Sequence, residues 1–177
     1  MVTDLTEVTL RDGRRATIRP IRRDDVVRSA AFIDGLSTQS KHTLFLGGVG
    51  RLSDEALGRL CDPDHAHDMA YVAVVPDSAV EGGERQVGVC RYAGTDTPAG
   101  AEISVAVADE WQHQGLGKVL LRRLIEHARS HGVQRLYSMD AVSNEAMRRL
   151  ARDVGFRERP DPEDIHQVIY SLRPQQS

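Results

Sequence analysis

The sequence predicts an α+β fold, in which one mixed β-sheet packs against helices. Strand-like and helix-like apolar patterns are interleaved irregularly along the chain, in the order ββααβββαβαββ. A doubly wound sheet would alternate single strands with single helices, so it is not expected. The 177 residues, of which 40% are hydrophobic, suit one domain with a substantial core.

The first third of the chain predicts a hairpin followed by two helices. Residues 7–20 alternate in polarity around Asp12-Gly13, which is typical of a tight hairpin turn. A helix is predicted over about 23–36, where apolar residues recur at helical spacing. A second, short helix is predicted after Ser53, whose hydroxyl suits a helix N-cap. The glycine-broken apolar segment 44–50 connects the two.

The rest of the chain predicts strands separated by two further helices. These helices cover about 115–131 and 144–153. The predicted strands cover about 69–75, 86–92, 101–108, 135–140 and 166–172, with another strand opening at Gly155-Phe156.

Composition and charge argue against several classes of protein. The formal net charge of −3 and the pI of about 6.2 do not fit a dedicated nucleic-acid-binding protein. Cys61 and Cys90 form no CxxC pair, so neither a disulfide framework nor a zinc site is indicated. The N-terminus is too polar for a signal peptide, and the longest apolar run, 69–75, is too short to span a membrane. A cytoplasmic protein is therefore expected.

The segment 101–118 combines a strand, a glycine-bearing loop and the start of a helix. Alternate apolar side chains of the strand point to one face, and Glu102 points to the other. The first backbone N–H groups of a helix lack partners, and Gly115 and Gly117 allow a phosphate to approach closely. The segment therefore predicts an anion site.

Two common phosphate-binding patterns do not match this loop. The Walker A pattern fails because Lys118 is followed by Val119, and the dinucleotide pattern fails because Leu120 stands where its third glycine belongs. On the Gly-x-Gly spacing alone, an ordinary glycine-containing helix start is equally well supported.

The Q-x-x-G-x-G spacing after an apolar strand resembles the GNAT N-acetyltransferase superfamily, in which such a loop holds the acyl-CoA pyrophosphate. The segments Ser143–Met147 and Gly155-Phe156 resemble the next helix and its end in that family. The resemblance covers about residues 14–172. It implies a mixed, mostly antiparallel twisted sheet of about six or seven strands flanked by about four helices. The segments RDGRRATIRPIRRDD, AEISV and WQHQGLG are most similar to the acetyltransferase domain of bacterial protein-lysine acetyltransferases.

The resemblance also implies where the cofactor binds. The backbone of Val105 and Val107 would pair with the pantetheine arm, and Asn144 would bind it or cap the following helix, or both. The residues that would surround the pyrophosphate are Gln112, His113, Gln114, Gly115, Gly117 and Lys118. Arg148 and Arg152 share one helix face and either meet the CoA phosphates or form a solvated charged face.

Glu102 is the candidate general base, because an acceptor ammonium must lose a proton before it attacks a thioester. The resemblance places the family's glutamate at this position; the alternative is a glutamate paired with an arginine. Many relatives use a tyrosine as general acid where this chain has Ala151. Ser143 and Tyr137 are nearby in sequence, and water can also protonate the thiolate.

The sequence thus predicts an acetyl-CoA-dependent N-acetyltransferase that consists of one domain over residues 1–177. Its acceptor is a protein lysine, or a small amine or amino acid. The alternatives are a catalytically silent acyl-CoA-binding regulatory module and an interaction scaffold. No metal is expected, although Asp64–Asp68 contains ligand-type residues. No nucleic-acid or membrane partner is expected, and pairing through the final strand can produce a homodimer.

Overall fold

The computed structural model describes residues 4–45, 52–95 and 100–176, and it confirms the α+β fold. The strands are β1 (Thr6–Thr9), β2 (Arg15–Pro20), β3 (Asp68–Pro76), β4 (Glu84–Gly94), β5 (Gly100–Val107), β6 (Arg135–Ala141), β7 (Arg157–Pro160) and β8 (Gln167–Leu172). The α-helices are α1 (Val26–Gly35), α2 (Thr38–Phe45), α3 (Asp54–Leu60), α4 (Leu116–Ser130) and α5 (Glu145–Asp153).

The described residues form eight strands and five α-helices. The strand number equals that of the predicted element order and exceeds by one or two the number that the resemblance implies, and the structure has one α-helix more than predicted. The unpredicted helix is α2, whose sequence TQSKHTLF has no clear apolar stripe. Short helices depend on tertiary contacts for their stability, and α2 packs against β5. Of the predicted connector 44–50, residues 44 and 45 belong to α2, and 46–50 lie outside the described residues.

The strands form one sheet in the order β1-β2-β3-β4-β5-β6-β8-β7, and only the β5–β6 pair is parallel. The paired stretch of β5 and β6 is also the shortest in the centre of the sheet. It ends where Glu102 lies opposite Tyr137. Beyond this point, β5 continues to Val107 and β6 to Ala141 without pairing to each other. The two strands therefore open a wedge, along which β5 pairs only with β4 and β6 only with β8.

Helices cover both faces of the sheet. On one face, α4 presents its buried residues to the main core, which consists of residues such as Ile103, Leu120, Leu124 and Leu136. On the other face, Phe32 of α1 and Cys61 after α3 pack against Val72, Val89 and Ala106. Side chains alternate between the two faces along a strand, so Glu102, Ser104 and Ala106 point to the same face of β5. Glu102 therefore lies on the second face, with Ala106.

A buried ion pair attaches α1 to the second face. Arg19 of β2 is 2% exposed, and its guanidinium donates to both carboxylate oxygens of Asp25 at 2.7 and 2.8 Å. Asp25 also accepts from the Arg22 backbone N–H and from Arg28. None of the described helices is long and apolar enough to cross a bilayer.

Candidate active site

A cleft of about 530 Å³ lies at the wedge between β5 and β6. It is bordered by the loop after β5, the first turn of α4, α5 and the start of α2. Its described lining residues are Arg11, Ser37, Gln39, Ser40, Val105, Ala106, Val107, Asp109, Trp111, Gln112, His113, Gly115, Leu116, Gly117, Lys118, Asn144, Ala146, Met147, Arg149, Leu150 and Asp153. Because residues from both faces of the sheet contribute, the cleft passes through the wedge.

The loop before α4 is shaped to hold an anion. His113 and Gly115 have left-handed backbone conformations, with φ of 61° and 91°. Gly115 is the N-cap of α4, and no side chain caps the helix. The first N–H groups of α4 therefore face the cleft without a side-chain acceptor, at the positive end of the helix dipole.

Gly117 has a packing role as well. A Cβ atom at this position would lie 3.3 Å from Leu150 of α5, closer than most such contacts in proteins. The glycine therefore lets α5 approach the first turn of α4. This close approach brings the two walls of the cleft together.

The structure brings together eight of the nine residues that the sequence predicts to bind the cofactor. These are Val105, Val107, Gln112, His113, Gly115, Gly117, Lys118 and Asn144. Gln114 is not among the described lining residues; its carbonyl accepts the Arg11 backbone N–H at 3.2 Å. Glu102 lies outside this lining, at the vertex of the wedge.

The Gln112 side chain holds the loop to α2. Its amide nitrogen donates to the Val107 carbonyl at 3.0 Å, to Asp109 and to Ser40. Ser37 and Ser40 also donate to the Asp109 carboxylate. The loop and the start of α2 therefore form one hydrogen-bonded unit beside the cleft.

Asn144 caps α5, as one of its two predicted roles requires. Its side-chain oxygen accepts the Met147 backbone N–H at 3.1 Å, and its amide donates to Asp140 at 2.9 Å. Burial raises the pKa of Asp140, although its hydrogen bonds from Ala141 and Asn144 oppose that shift. The pair fixes the orientation of the Asn144 amide at the wall of the cleft.

Two cationic residues of the cleft, Arg11 and Arg149, are not evident from the sequence. On α5, Arg149 lines the cleft, whereas Arg148 forms an ion pair with Glu158 at 3.3 Å and Arg152 is not among the described lining residues. The sequence suggests that the α5 face with Arg148 and Arg152 points to the cofactor. The face that lines the cleft is instead the one with Arg149, about one residue further around the helix. Arginines at 148, 149 and 152 leave that rotation undetermined without the packing.

The β1–β2 hairpin brings Arg11 to the cleft. Arg14 donates to the Glu110 carbonyl at 2.8 Å, and its guanidinium lies 3.9 Å from the centre of the Trp111 ring. Together with the hydrogen bond from Arg11 to Gln114, these contacts dock the hairpin against the loop. No sequence pattern indicates this contact, because about a hundred residues separate its two sides.

Glu102 lies opposite Ala93 of β4 and Tyr137 of β6. Burial raises the pKa of its carboxyl. No hydrogen bond or ion pair joins the Glu102 side chain to another described residue, so the predicted alternative of an arginine pair is not present there. A half-buried, unpaired carboxylate with a raised pKa has the properties of a general base.

The profile of the acetyltransferase (GNAT) family matches residues 41–156. The chain belongs to this family. Acetyltransferase PA5475 of Pseudomonas aeruginosa is 41% identical over 164 residues, which cover 93% of this chain and 87% of that protein. Family membership assigns acetyl transfer to the protein, with acetyl-CoA as its co-substrate.

Solved structures of two bacterial proteins are similar to this fold. The GNAT domain of S. lividans PAT superposes with a TM-score of 0.82 and 25% identity, over 98% of each chain. A cAMP-binding acyltransferase from Mycobacterium smegmatis superposes with a TM-score of 0.62 and 22% identity. That match covers 96% of this chain and 46% of the longer protein.

By the GNAT resemblance, the general acid would be a tyrosine at position 151. This chain has alanine there, which has no proton to donate. Ala151 is 1% exposed and is one of the α5 residues that pack into the main core. Tyr137 faces the same side of the sheet as Glu102, and Ser143 is exposed in the turn before α5. Neither side chain lines the cleft among the described residues.

The segment Asp64–Asp68 has a structural role. The Asp64 carboxylate accepts the backbone N–H groups of Ala66, His67 and Asp68 and contacts the His67 ring. These hydrogen bonds hold the pKa of Asp64 well below its usual range. Within residues 4–45, 52–95 and 100–176, no group of three His, Cys, Asp or Glu side chains is arranged to hold a metal ion.

Proposed function

We propose that the protein transfers an acetyl group from acetyl-CoA directly to a primary amine, with Glu102 as general base. The acceptor is a protein lysine, or a small amine or amino acid. The observation that carries this proposal is the position of Glu102. Its carboxylate has no hydrogen-bond or ion-pair partner in the described part of the chain, and it lies at the vertex of a wedge that opens toward the start of α4, where no side chain caps the helix.

The cofactor site uses mainly backbone groups. The N–H groups at residues 113–117 bind the pyrophosphate, and the backbone of Val105 and Val107, on the side of β5 that no longer pairs with β6, binds the pantetheine arm as an added strand. Gln112 holds the loop in place, and Lys118 and Asn144 complete the walls. The thioester then lies near the vertex, on the path to Glu102.

The reaction balances without a covalent enzyme intermediate. Glu102 takes a proton from the acceptor ammonium, directly or through water, and the neutral amine attacks the thioester carbonyl. A C–N bond forms and the C–S bond breaks, while a strand N–H near Val105 stabilises the oxyanion. The amide nitrogen loses its second proton, and the CoA thiolate takes one from water. A thiol is acidic enough to leave without a dedicated acid.

Replacing Glu102 tests this assignment. Glu102→Gln keeps the shape of the side chain but cannot accept a proton, so kcat should fall by about 100-fold or more. The Kd for acetyl-CoA should change by less than about twofold, because the carboxylate lies outside the cleft lining. Glu81→Gln, in the exposed turn before β4, is the matched control and should leave both quantities unchanged.

The pH profile adds a readout specific to a base. Glu102 is active when deprotonated, and burial raises the pKa of its carboxyl above the usual range of a glutamate. In the wild type, kcat/KM should therefore fall as the pH drops through that raised pKa, and Glu102→Gln should lack this limb. Equal turnover of the two proteins at every pH would exclude Glu102 as the base.

A catalytically silent acyl-CoA-binding module is the second candidate, and the buried Ala151 favours it because it provides no acid. Such a module would bind acetyl-CoA but release no thiol with any amine. We further propose that residues 1–177 act as one cytoplasmic domain. The final strand β8 is paired on both sides, with β6 and β7, so homodimer pairing at this end of the sheet would use the edge strand β7 instead of the expected final strand. Sedimentation measures the oligomeric state.

A further inference from the structure

A second cavity, of about 300 Å³, lies between the sheet and helices α1 and α3. Its lining is mainly apolar and includes Ile21, Phe32, Ile33, Leu44, Leu57, Leu60 and Val89. Two polar side chains at its wall satisfy each other, because Ser29 donates to Gln86 at 2.9 Å. Cavities of about 300 to 1,000 Å³ are typical of small-molecule sites. The cavity therefore suits an apolar group.

The cavity is on the same side of the sheet as Glu102 and is separate from the cofactor cleft. No described residue lines both. Val89 of its lining lies opposite Ala106 of β5, and the strand leads from there toward Glu102. An acceptor could therefore occupy this cavity while acetyl-CoA occupies the cleft.

Arg91 lies at the end of the cavity that is nearer to Glu102. Burial lowers the pKa of its guanidinium. No hydrogen bond or ion pair joins that guanidinium to another residue of the described ranges. Asp68, the acidic residue that acts on it electrostatically, accepts the Gly94 backbone N–H instead. Arg91 is half-buried, and a partly desolvated cation that has no partner among the described residues gains from pairing with a ligand carboxylate.

The register of the sheet places Arg91 beside the proposed base. Arg91 lies opposite Ser104, and Glu102 is two residues further along β5 on the same face. Diagonal neighbours of this kind have side chains that begin roughly 7–8 Å apart. Both side chains are long, so one small molecule can contact the two together. An α-amino acid has the matching pair of groups, a carboxylate and an amine on one carbon.

Building on the acetyl transfer proposed above, we infer that the acceptor is a free apolar α-amino acid. Its side chain occupies the cavity between α1 and α3, its carboxylate pairs with Arg91, and its α-amine lies at Glu102. The amine then attacks the thioester as described, which yields an N-acetyl amino acid, free CoA and one proton. A lysine side chain within a protein brings no carboxylate to Arg91.

The acceptor preference of the intact protein tests this inference. Thiol release from acetyl-CoA is measured with leucine, methionine and phenylalanine, with their methyl esters, and with a lysine peptide whose ends are blocked. Free amino acids should have a kcat/KM about 100-fold higher than their esters, because an ester cannot form the charged, bidentate pair with arginine. Binding of the same compounds to the CoA complex is measured by calorimetry.

Two variants locate the effect. Arg91→Gln should lower kcat/KM for leucine by about 100-fold and leave its methyl ester within about threefold, with the Kd for acetyl-CoA unchanged as proof of folding. Arg85→Gln is the matched control: it lies on the same strand, pairs with Asp77 and Glu110, and is outside both linings. Ala56→Phe fills the cavity, so the rate for leucine should fall toward that for alanine.

The outcomes separate this inference from the proposed function. Equal rates for acids and esters, or an unchanged preference in Arg91→Gln, would overturn the acceptor assignment. Glu102-dependent acetylation of the lysine peptide, with no binding or acetylation of amino acids, would also overturn it but leave the acetyl transfer standing. Failure to bind acetyl-CoA at all would overturn both.

Discussion

Arg19 and Arg91 lie on the same face of the sheet, but their surroundings differ. Arg19 donates to both oxygens of Asp25 and also to Glu84 at 3.1 Å. Arg91 has no carboxylate within ion-pair distance among the described residues. The first arginine is neutralised by the protein itself and joins α1 to β2, whereas the second retains its charge next to an apolar cavity. We interpret the first as structural and the second as a ligand-binding group.

Breaking the Arg19 pair should have the largest effect on stability. Asp25→Asn leaves the Arg19 guanidinium buried without a full charge partner, which should lower the free energy of unfolding by about 3–5 kcal/mol. Urea unfolding followed by circular dichroism measures this change. The double variant Arg19→Met/Asp25→Leu removes both charges and should recover a large part of the loss. A single variant as stable as the wild type would contradict the structural role.

Removing the charge of Arg91 should have a smaller effect, in the opposite direction. Arg91→Leu replaces a half-buried guanidinium, which has no partner among the described residues, with an apolar side chain that continues the cavity lining, so the free energy of unfolding should rise by about 1 kcal/mol. The same unfolding measurement applies. A loss as large as that of Asp25→Asn would show that Arg91 has a structural partner after all and would remove the contrast.

Removing the charge of Glu84, the partially exposed partner of Arg19, should have the smallest effect on the free energy of unfolding. The Glu84 side chain is 40% exposed, and Asp25 already provides both oxygens to Arg19. Glu84→Gln should therefore lower the free energy of unfolding by less than about 1 kcal/mol, and this loss should shrink at high salt. A loss that does not depend on salt would indicate that Glu84 belongs to the buried part of the network.

The sequence predicted the cofactor side of the site better than the acceptor side. The strand 101–108, the loop with Gly115 and the long helix are adjacent in sequence, so local pattern and spacing are sufficient to place them. The phase of α5 and the docking of Arg11 were not predictable, because both depend on contacts between distant segments. Helix α2 was missed for the same reason, since its sequence has little helical pattern of its own.

The acceptor side depends on which elements surround each charged residue. Arg19 and Arg91 are both strand arginines, and no local feature of the sequence separates them. The difference arises because α1 begins next to β2 and places Asp25 in contact with Arg19, while no described element brings a carboxylate within ion-pair distance of Arg91. Pairing across strands also places Glu102 beside Arg91, although eleven positions separate them in the chain.

The sequence by itself was sufficient to predict the fold class, a loop suited to bind an anion, and Glu102 as the candidate base. These features depend on alternation, on helical spacing and on glycines that allow left-handed backbone, all of which operate over a few residues. The tertiary structure decided which charges are paired and which are available. A charge is neutralised by whatever group the fold brings within a few ångströms, and that group can come from anywhere in the chain.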